Sequence, residues 1–213
     1  GSMGLCREIY QEGVRIPPLT LLRAGSTNAE VLALLLTNVR TPDEREGDLG
    51  AQIAACHTGA ERLREISMRY GLARCTQAAA QLQRYSEELM RSFLQLVPPG
   101  AYCAEDYLDN DGITETPIKI KVNITVRAAR ASASRSHIVT VDFTGSNPQV
   151  QGSINAVAAI TYSACFYVFR CLLTEDVPAA AGLMRPIRVI APEGTIVNAK
   201  APAAVAGGNV ETS

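Results

Sequence analysis

The sequence is poor in the groups that most often announce a chemistry. It holds two histidines, His57 and His137, and six cysteines, Cys6, Cys56, Cys75, Cys103, Cys165 and Cys171, with no CxxC pair among them. Neither a zinc site nor a dithiol redox motif can be built from that spacing. His57 falls just outside the apolar face of a predicted helix and His137 opens a predicted strand. Neither has a Cys or Asp at ligand spacing, so no Ser-His-Asp or Cys-His arrangement can be assembled either. There is no basic run, and 20 Lys+Arg stand against 21 Asp+Glu for a net charge of -1. The electrostatic footprint of a nucleic-acid binder is therefore missing. No apolar run reaches the roughly 20 residues of a membrane span. The most apolar segment, residues 153–169, is interrupted by Asn155, Thr161 and Ser163 and closed by Arg170, and reads as a buried helix. With no secretory signal, the scattered cysteines imply free thiols in a reducing cytoplasm, and the sequon at Asn123 carries no meaning.

What is present is enough apolar content, 47% over 213 residues, for one globular domain or two small ones. Ser26 or Thr27, with Glu30 at capping-box distance from Thr27, predicts a short helix over about 28–38. Thr41, Pro42 and Glu44 start a second. Its apolar or small positions Leu49, Ile53, Cys56, Ala60, Leu63, Ser67 and Tyr70 keep one face toward a partner helix, and Gly71 ends it. A third helix over about 73–96 repeats the pattern, so an antiparallel helical hairpin is expected. "VPPG" at Val97 to Gly100 stops it and marks a subdomain boundary between residues 1–97 and 98–213. Beyond it the period becomes two: Ile118, Ile120, Val122, Ile124 and Val126 alternate with polar residues, and residues 137–145 supply an antiparallel partner across the small, polar loop 128–136. A helix near 155–173, a strand near 185–190, a turn at 192–194 and a short strand around 195–198 follow. The fold class is α+β: an N-terminal helical hairpin, then a mixed, largely antiparallel sheet with a buried helix.

Three polar stretches invite a site. "EDYLDNDG" at Glu105 to Gly112 resembles a calcium loop, but Tyr107 holds the first ligand position and Ile118 that of the bidentate Glu, so a solvated turn is favoured over a weakly bound cation. "DFTGSNPQVQG" at Asp142 to Gly152 reads either as a tight connection or as a polar loop whose backbone N–H groups hold an anion. "AGGNVE" at Ala206 to Glu211 is a turn or a close backbone approach. Asp48 and Gln52 lie mid-helix, 50 to 90 degrees from the centre of the packing stripe at about 100 degrees per residue. Arg45 is three residues before Asp48 and Gln52 four after, so the residues alone leave local pairing and a site wall equally open.

The blocks "EIYQEGVRIPP" (Glu8 to Pro18), "NVRTPDEREGDLGAQIAA" (Asn38 to Ala55), "VDFTGSNPQVQGSINA" (Val141 to Ala156) and "APAAVAGGNVETS" (Ala201 to Ser213) resemble, in order, the hydantoinase B / oxoprolinase family. The resemblance implies a B-type subunit of an ATP-dependent cyclic-amide hydrolase acting on hydantoin or 5-oxoproline, or of an acetone/acetophenone-carboxylase-type enzyme. ATP would sit on an A-type partner, and a divalent metal in a segment upstream of residue 1. The chain is then the middle part of a longer protein, inactive alone, with no cofactor or metal of its own; a non-catalytic interaction module keeping the family fold is the rival. The matched polar residues are Glu12, Asn38, Arg40, Asp48, Gln52, Asp142, Asn155 and Asn209, of which Asp48, Gln52 and Arg40 are the catalytic-side candidates. The glycines of the Asp142 loop and Gly207-Gly208 are expected to shape the backbone.

Overall fold

The structure is a computed structural model that describes residues 3–127, 137–173, 177 and 180–210. Its contacts divide the chain into Val14–Ala79 and a second unit made of Gly1–Gly13 and Ala80–Ser213. The division falls inside a helix, whereas the change in sequence pattern comes at Val97 to Gly100.

In the unit Val14–Ala79, strands β1 (Leu22–Arg23) and β2 (Ser26–Thr27) form a hairpin around Ala24 and Gly25. Both turn residues have positive φ, 49° and 83°, as a two-residue primed turn requires. Because Ser26 and Thr27 are taken up by the strand, neither caps helix α2 (Ala29–Thr37) as the sequence suggested. Asn28 does, its Oδ1 accepting the N–H groups of Glu30 and Val31 at 3.1 and 3.3 Å. Helix α3 (Pro42–Tyr70) starts at Pro42, with Asp43 and Glu44 in its first turn; Thr41 makes no side-chain cap bond. Gly71 closes it at φ 82°, donating its N–H to Ser67 O at 2.8 Å, and helix α4 (Leu72–Leu94) follows. No residue of α3 is buried.

The second unit is built on a four-stranded sheet of order β3-β4-β5-β6. Strand β3 (Gly100–Leu108) pairs antiparallel with β4 (Ile118–Val126) along its whole length, β4 antiparallel with β5 (Val139–Asp142), and β5 parallel with β6 (Ile187–Ile190). The sheet is thus mixed and largely antiparallel, and the α+β class is as read. The even-numbered side chains of β4 face the core. There Met90 and Leu94 of α4 and Cys165 and Phe169 of helix α5 (Ala158–Cys171) pack with Val126, Val139, Val141 and Ile187. Each fully buried side chain of that kind contributes about 1.5–3 kcal/mol.

Four expectations are corrected. Glu105 to Leu108 belong to β3 rather than to a solvated turn, because β4 offers them a complete hydrogen-bonding edge. Helix α5 is not enclosed: Thr161, Cys165 and Phe169 are buried, whereas Tyr162, Tyr167, Val168 and Leu172 are exposed. Residues 195–198 form isolated bridges, Thr195 to Asn198 and to Pro148, not a strand. The tail holds a short helix α6 (Ala206–Val210), as the N-terminal segment holds α1 (Ile9–Glu12). The loop expected over 128–136 lies outside the described residues.

Candidate functional site

The second unit holds a half-open cavity of about 680 Å³. Its walls are mostly aliphatic and aromatic: Leu108 and Ile120 from the sheet, Phe143 and Ile154 from the loop that follows β5, Ile160 from α5, and Ile196. The backbone of Gly207 and Gly208 closes one side, and Asp109, Asn110 and Thr161 supply the polar edge.

Its frame is a set of polar side chains used up on backbone groups. Asn155, fully buried, is the central one. Its Oδ1 accepts Val150 N–H at 2.8 Å, and its Nδ2 donates to the carbonyls of Val150, Gly152 and Ala204 at 2.9, 2.8 and 2.9 Å. It therefore ties the loop before α5 to the chain before α6. Glu12 caps the entry to α6, its Oε1 accepting the N–H groups of Val205 and Ala206 at 2.7 and 2.8 Å. Asn209 Oδ1 accepts Val157 N–H at 3.5 Å at the start of α5, and Thr161 donates its hydroxyl to Val197 O at 2.6 Å. Gly207 and Gly208 lie so close to this loop that a Cβ on Gly208 would meet Ile154 O and Asn155 O at 2.4 Å, and one on Gly207 would meet Ser153 Oγ at 2.9 Å. The pair of glycines is demanded by backbone approach.

Asp111 fastens the other edge. It is only 4% exposed. Oδ1 accepts the N–H groups of Ile113 and Thr114 and the Thr114 hydroxyl at 3.0, 2.6 and 3.0 Å, and Oδ2 accepts Gly152 N–H at 3.2 Å. Burial pushes its carboxyl pKa up, and the bonds from Thr114, Ile113 and Gly152 outweigh that and hold it below the ordinary aspartate value. The last carboxylate of the calcium-like stretch is thus a buried latch rather than part of a solvated turn. The D-G-x-T spacing, a side chain bonding its own backbone two and three residues on, was the sequence signal for it. In the loop after β5, Asp142 Oδ1 accepts Thr144 N–H at 2.9 Å, Gly145 takes φ 98°, and Ser146 Oγ accepts from Lys121 N at 3.0 Å. This is a tight connection fastened to β4.

The three catalytic-side candidates lie in the unit Val14–Ala79. Arg40, Asp48 and Gln52 are all exposed. Asp48 Oδ2 pairs with Arg45 Nη1 at 2.9 Å, three residues away on α3, with the aspartate side chain 55% exposed. The structure therefore brings Asp48 together with Arg45. Asn38, another matched residue, donates Nδ2 to Leu34 O at 2.7 Å at the end of α2. His57 and His137 are exposed. Among the described residues no three His, Cys, Asp or Glu side chains converge. None of the described helices is long and apolar enough to cross a membrane. Cys165 sits in the core, where burial pushes its thiol up to about 11. With its polar frame bound to backbone, the cavity is equipped to take up apolar matter.

The residues around the cavity thus form an α+β structure whose polar motif side chains latch loops in place. The whole chain, residues 1–213, matches the family described as Hydantoinase B/oxoprolinase, and it belongs to that family. It is 33% identical over 198 residues to caprolactamase subunit beta of Pseudomonas jessenii, covering 92% of this chain and 32% of that one. The crystal structure of the ATP-dependent caprolactamase from the same organism superposes with a TM-score of 0.85 at 31% identity, covering 97% of this chain and 34% of that one. A nucleotide-free acetone carboxylase shares the fold, with a TM-score of 0.83 at 16% identity, over 100% of this chain and 29% of that one. The chain spans about a third of the length of three curated relatives it matches and less than a fifth of the 5-oxoprolinases of Arabidopsis thaliana and Dictyostelium discoideum.

Proposed function

We propose that this chain is the central part of the B-type subunit of an ATP-dependent cyclic-amide hydrolase, of the hydantoinase or oxoprolinase type, and that it is inactive by itself. The observation that carries the reading is the family match over all of residues 1–213, joined to 33% identity with a caprolactamase beta subunit. In that assembly an A-type partner supplies ATP-dependent activation of the ring amide, in the cytoplasm. Arg40, in the turn before α3, and Asp48 and Gln52, exposed on α3, line the active-site side. The share of the second unit is architectural: it holds loops at fixed positions through Asn155, Glu12 and Asp111.

The test is reconstitution. The complete B-type polypeptide, mixed with its A-type partner, ATP and hydantoin, 5-oxoproline or caprolactam, is expected to open a ring with ATP consumption, and neither subunit alone is. Absence of turnover on every cyclic amide overturns the reading. Bicarbonate-dependent turnover of a ketone would replace it by the carboxylase reading.

A further inference from the structure

We infer that the open apolar surface running from the core face of β3 through the cavity to the outer stripe of α5 is the seat of one more helix of the same B-type polypeptide. The inference rests on the reading of this chain as part of a longer subunit.

Side chains directly opposite in an antiparallel pair share a face. The register therefore places Tyr102, Ala104 and Leu108 of β3 on the face of Ile124, Val122 and Ile118 of β4. That face is the core face of the sheet: Ile118 is buried, and Val122 and Ile124 pack into the main cluster. Helices α4 and α5 cover it over β4, β5 and β6, yet every residue of β3 is exposed and none contributes to either core cluster. A sheet with an apolar face is stable when a second layer covers it; here the layer stops one strand short.

The neighbouring helix shows the matching gap. Ile160, Ala164, Tyr167, Val168 and Cys171 of α5 recur at spacings of four, three, one and three, a single apolar stripe. Ile160 and Ala164 line the cavity, and the stripe continues outward through Tyr167 and Val168, which are 68% and 54% exposed. Leu108, at the end of β3, lines the same cavity. The two bare surfaces are therefore continuous, and their charges are Asp106, whose Oδ1 is occupied by Tyr107 N–H at 2.8 Å, and Asp109 at the polar edge of the cavity.

The occupant follows from shape and length. The stripe runs about 17 Å from Ile160 to Cys171 at 1.5 Å per residue, and a helix about 10 Å across fills the layer beside α5. A second copy of the chain would bring an identical concave surface to this one, and two hollows cannot fill each other. A transient partner would meet a surface of average polarity; this one is an extension of the hydrophobic core, and an obligate subunit on it is the outcome that partner-dependent protection would reveal. At least about two-thirds of the length of each curated relative lies outside its match to this chain, which provides ample polypeptide for one more helix.

Cys171 is a probe already in place, exposed at the far end of the stripe, with buried Cys165 as an internal reference. Maleimide labelling resolved by residue is to be run on the complete B-type polypeptide, without its A-type partner, against the same polypeptide unfolded in urea. The expected result is protection of Cys171 by roughly a hundredfold or more, as for a site that reacts only on local opening. Val168→Asp is expected to abolish most of that protection while Cys165 stays unreactive. Labelling of Cys171 near its unfolded rate overturns the inference. So does protection that needs the A-type partner, protection that fades on dilution as a second copy would give, or a reading frame that ends at residue 213. A polypeptide that protects Cys171 but hydrolyses no cyclic amide leaves this inference standing and removes the functional reading instead.

Discussion

Replacing Asn155 by Asp changes one amide nitrogen to oxygen and keeps the shape. In the native protein that nitrogen faces the carbonyl oxygens of Val150, Gly152 and Ala204 at 2.8–2.9 Å in a site with no solvent exposure. An ionised carboxylate there would point an anion at three acceptors and could donate to none. The variant will instead take up a proton, giving one O–H donor, so the carboxyl pKa rises by about 3 units or more over its unfolded value near 3.9. A folded pKa raised above the unfolded one leaves the protonated form unpenalised below pH about 4. The penalty then grows by about 1.4 kcal/mol per pH unit until the folded pKa is passed. At pH 7 that amounts to about 4 kcal/mol. It adds to about 1–3 kcal/mol, present at every pH, for the carbonyls left without a donor. Against a total stability of about 5–15 kcal/mol, the Asn155→Asp protein should lose about a third or more of its stability at pH 8 while losing only about 1–3 kcal/mol near pH 4. Urea unfolding followed by circular dichroism, on both proteins across that range, measures it. A stability difference that does not change with pH would refute the assigned hydrogen bonding.

Gly152→Ala should cost about 1–3 kcal/mol in thermal unfolding, because its Cβ would lie 1.9 Å from Asp111 O. Gly59→Ala on open α3, with nothing within 4 Å, should stabilise by about 0.5–1 kcal/mol. Asp111→Ala should destabilise by about 1–3 kcal/mol at neutral pH through the orphaned N–H groups of Ile113, Thr114 and Gly152. Because the native carboxyl pKa is lowered, its charge-dependent share is fully present above the unfolded value near 3.9. It is lost as the pH falls from there through the folded value, so an acid titration of both proteins should narrow the difference between them. Asp48→Asn removes an exposed pair with Arg45 and should change stability by less than about 0.5 kcal/mol. In the complete, partnered enzyme it should lower ATP-dependent turnover about tenfold or more, as loss of a substrate-side group does. Unchanged turnover would leave Asp48 as a partner of Arg45 only.

Helices α2, α3 and α4 and strands β4, β5 and β6 were legible because their signals are local: a cap, Pro42 in the first turn, Gly71 after the last, an alternation of Ile and Val with polar residues. Even there the tertiary path moved a detail, since pairing of Ser26 and Thr27 in β2 handed the cap to Asn28. Strand β3 was missed because "GAYCAEDYL" has no alternation of its own; its conformation is imposed by nine backbone partners on β4. The half-exposed state of α5 was equally hidden, since an apolar helix reads the same whether or not a neighbour covers its second face.

By itself the sequence determined the local elements, the fold class and the family, for each rests on residues within a few positions of one another or on blocks read in order. Only the tertiary structure decided what the matched polar residues do. Asn155 reaches Ala204 across 49 residues, Glu12 reaches Val205 across 193 and Asp111 reaches Gly152 across 41. No spacing rule carries such distances, because a hydrogen bond forms where the folded chain brings donor and acceptor within about 3 Å, and that meeting is fixed by how the sheet and helices pack.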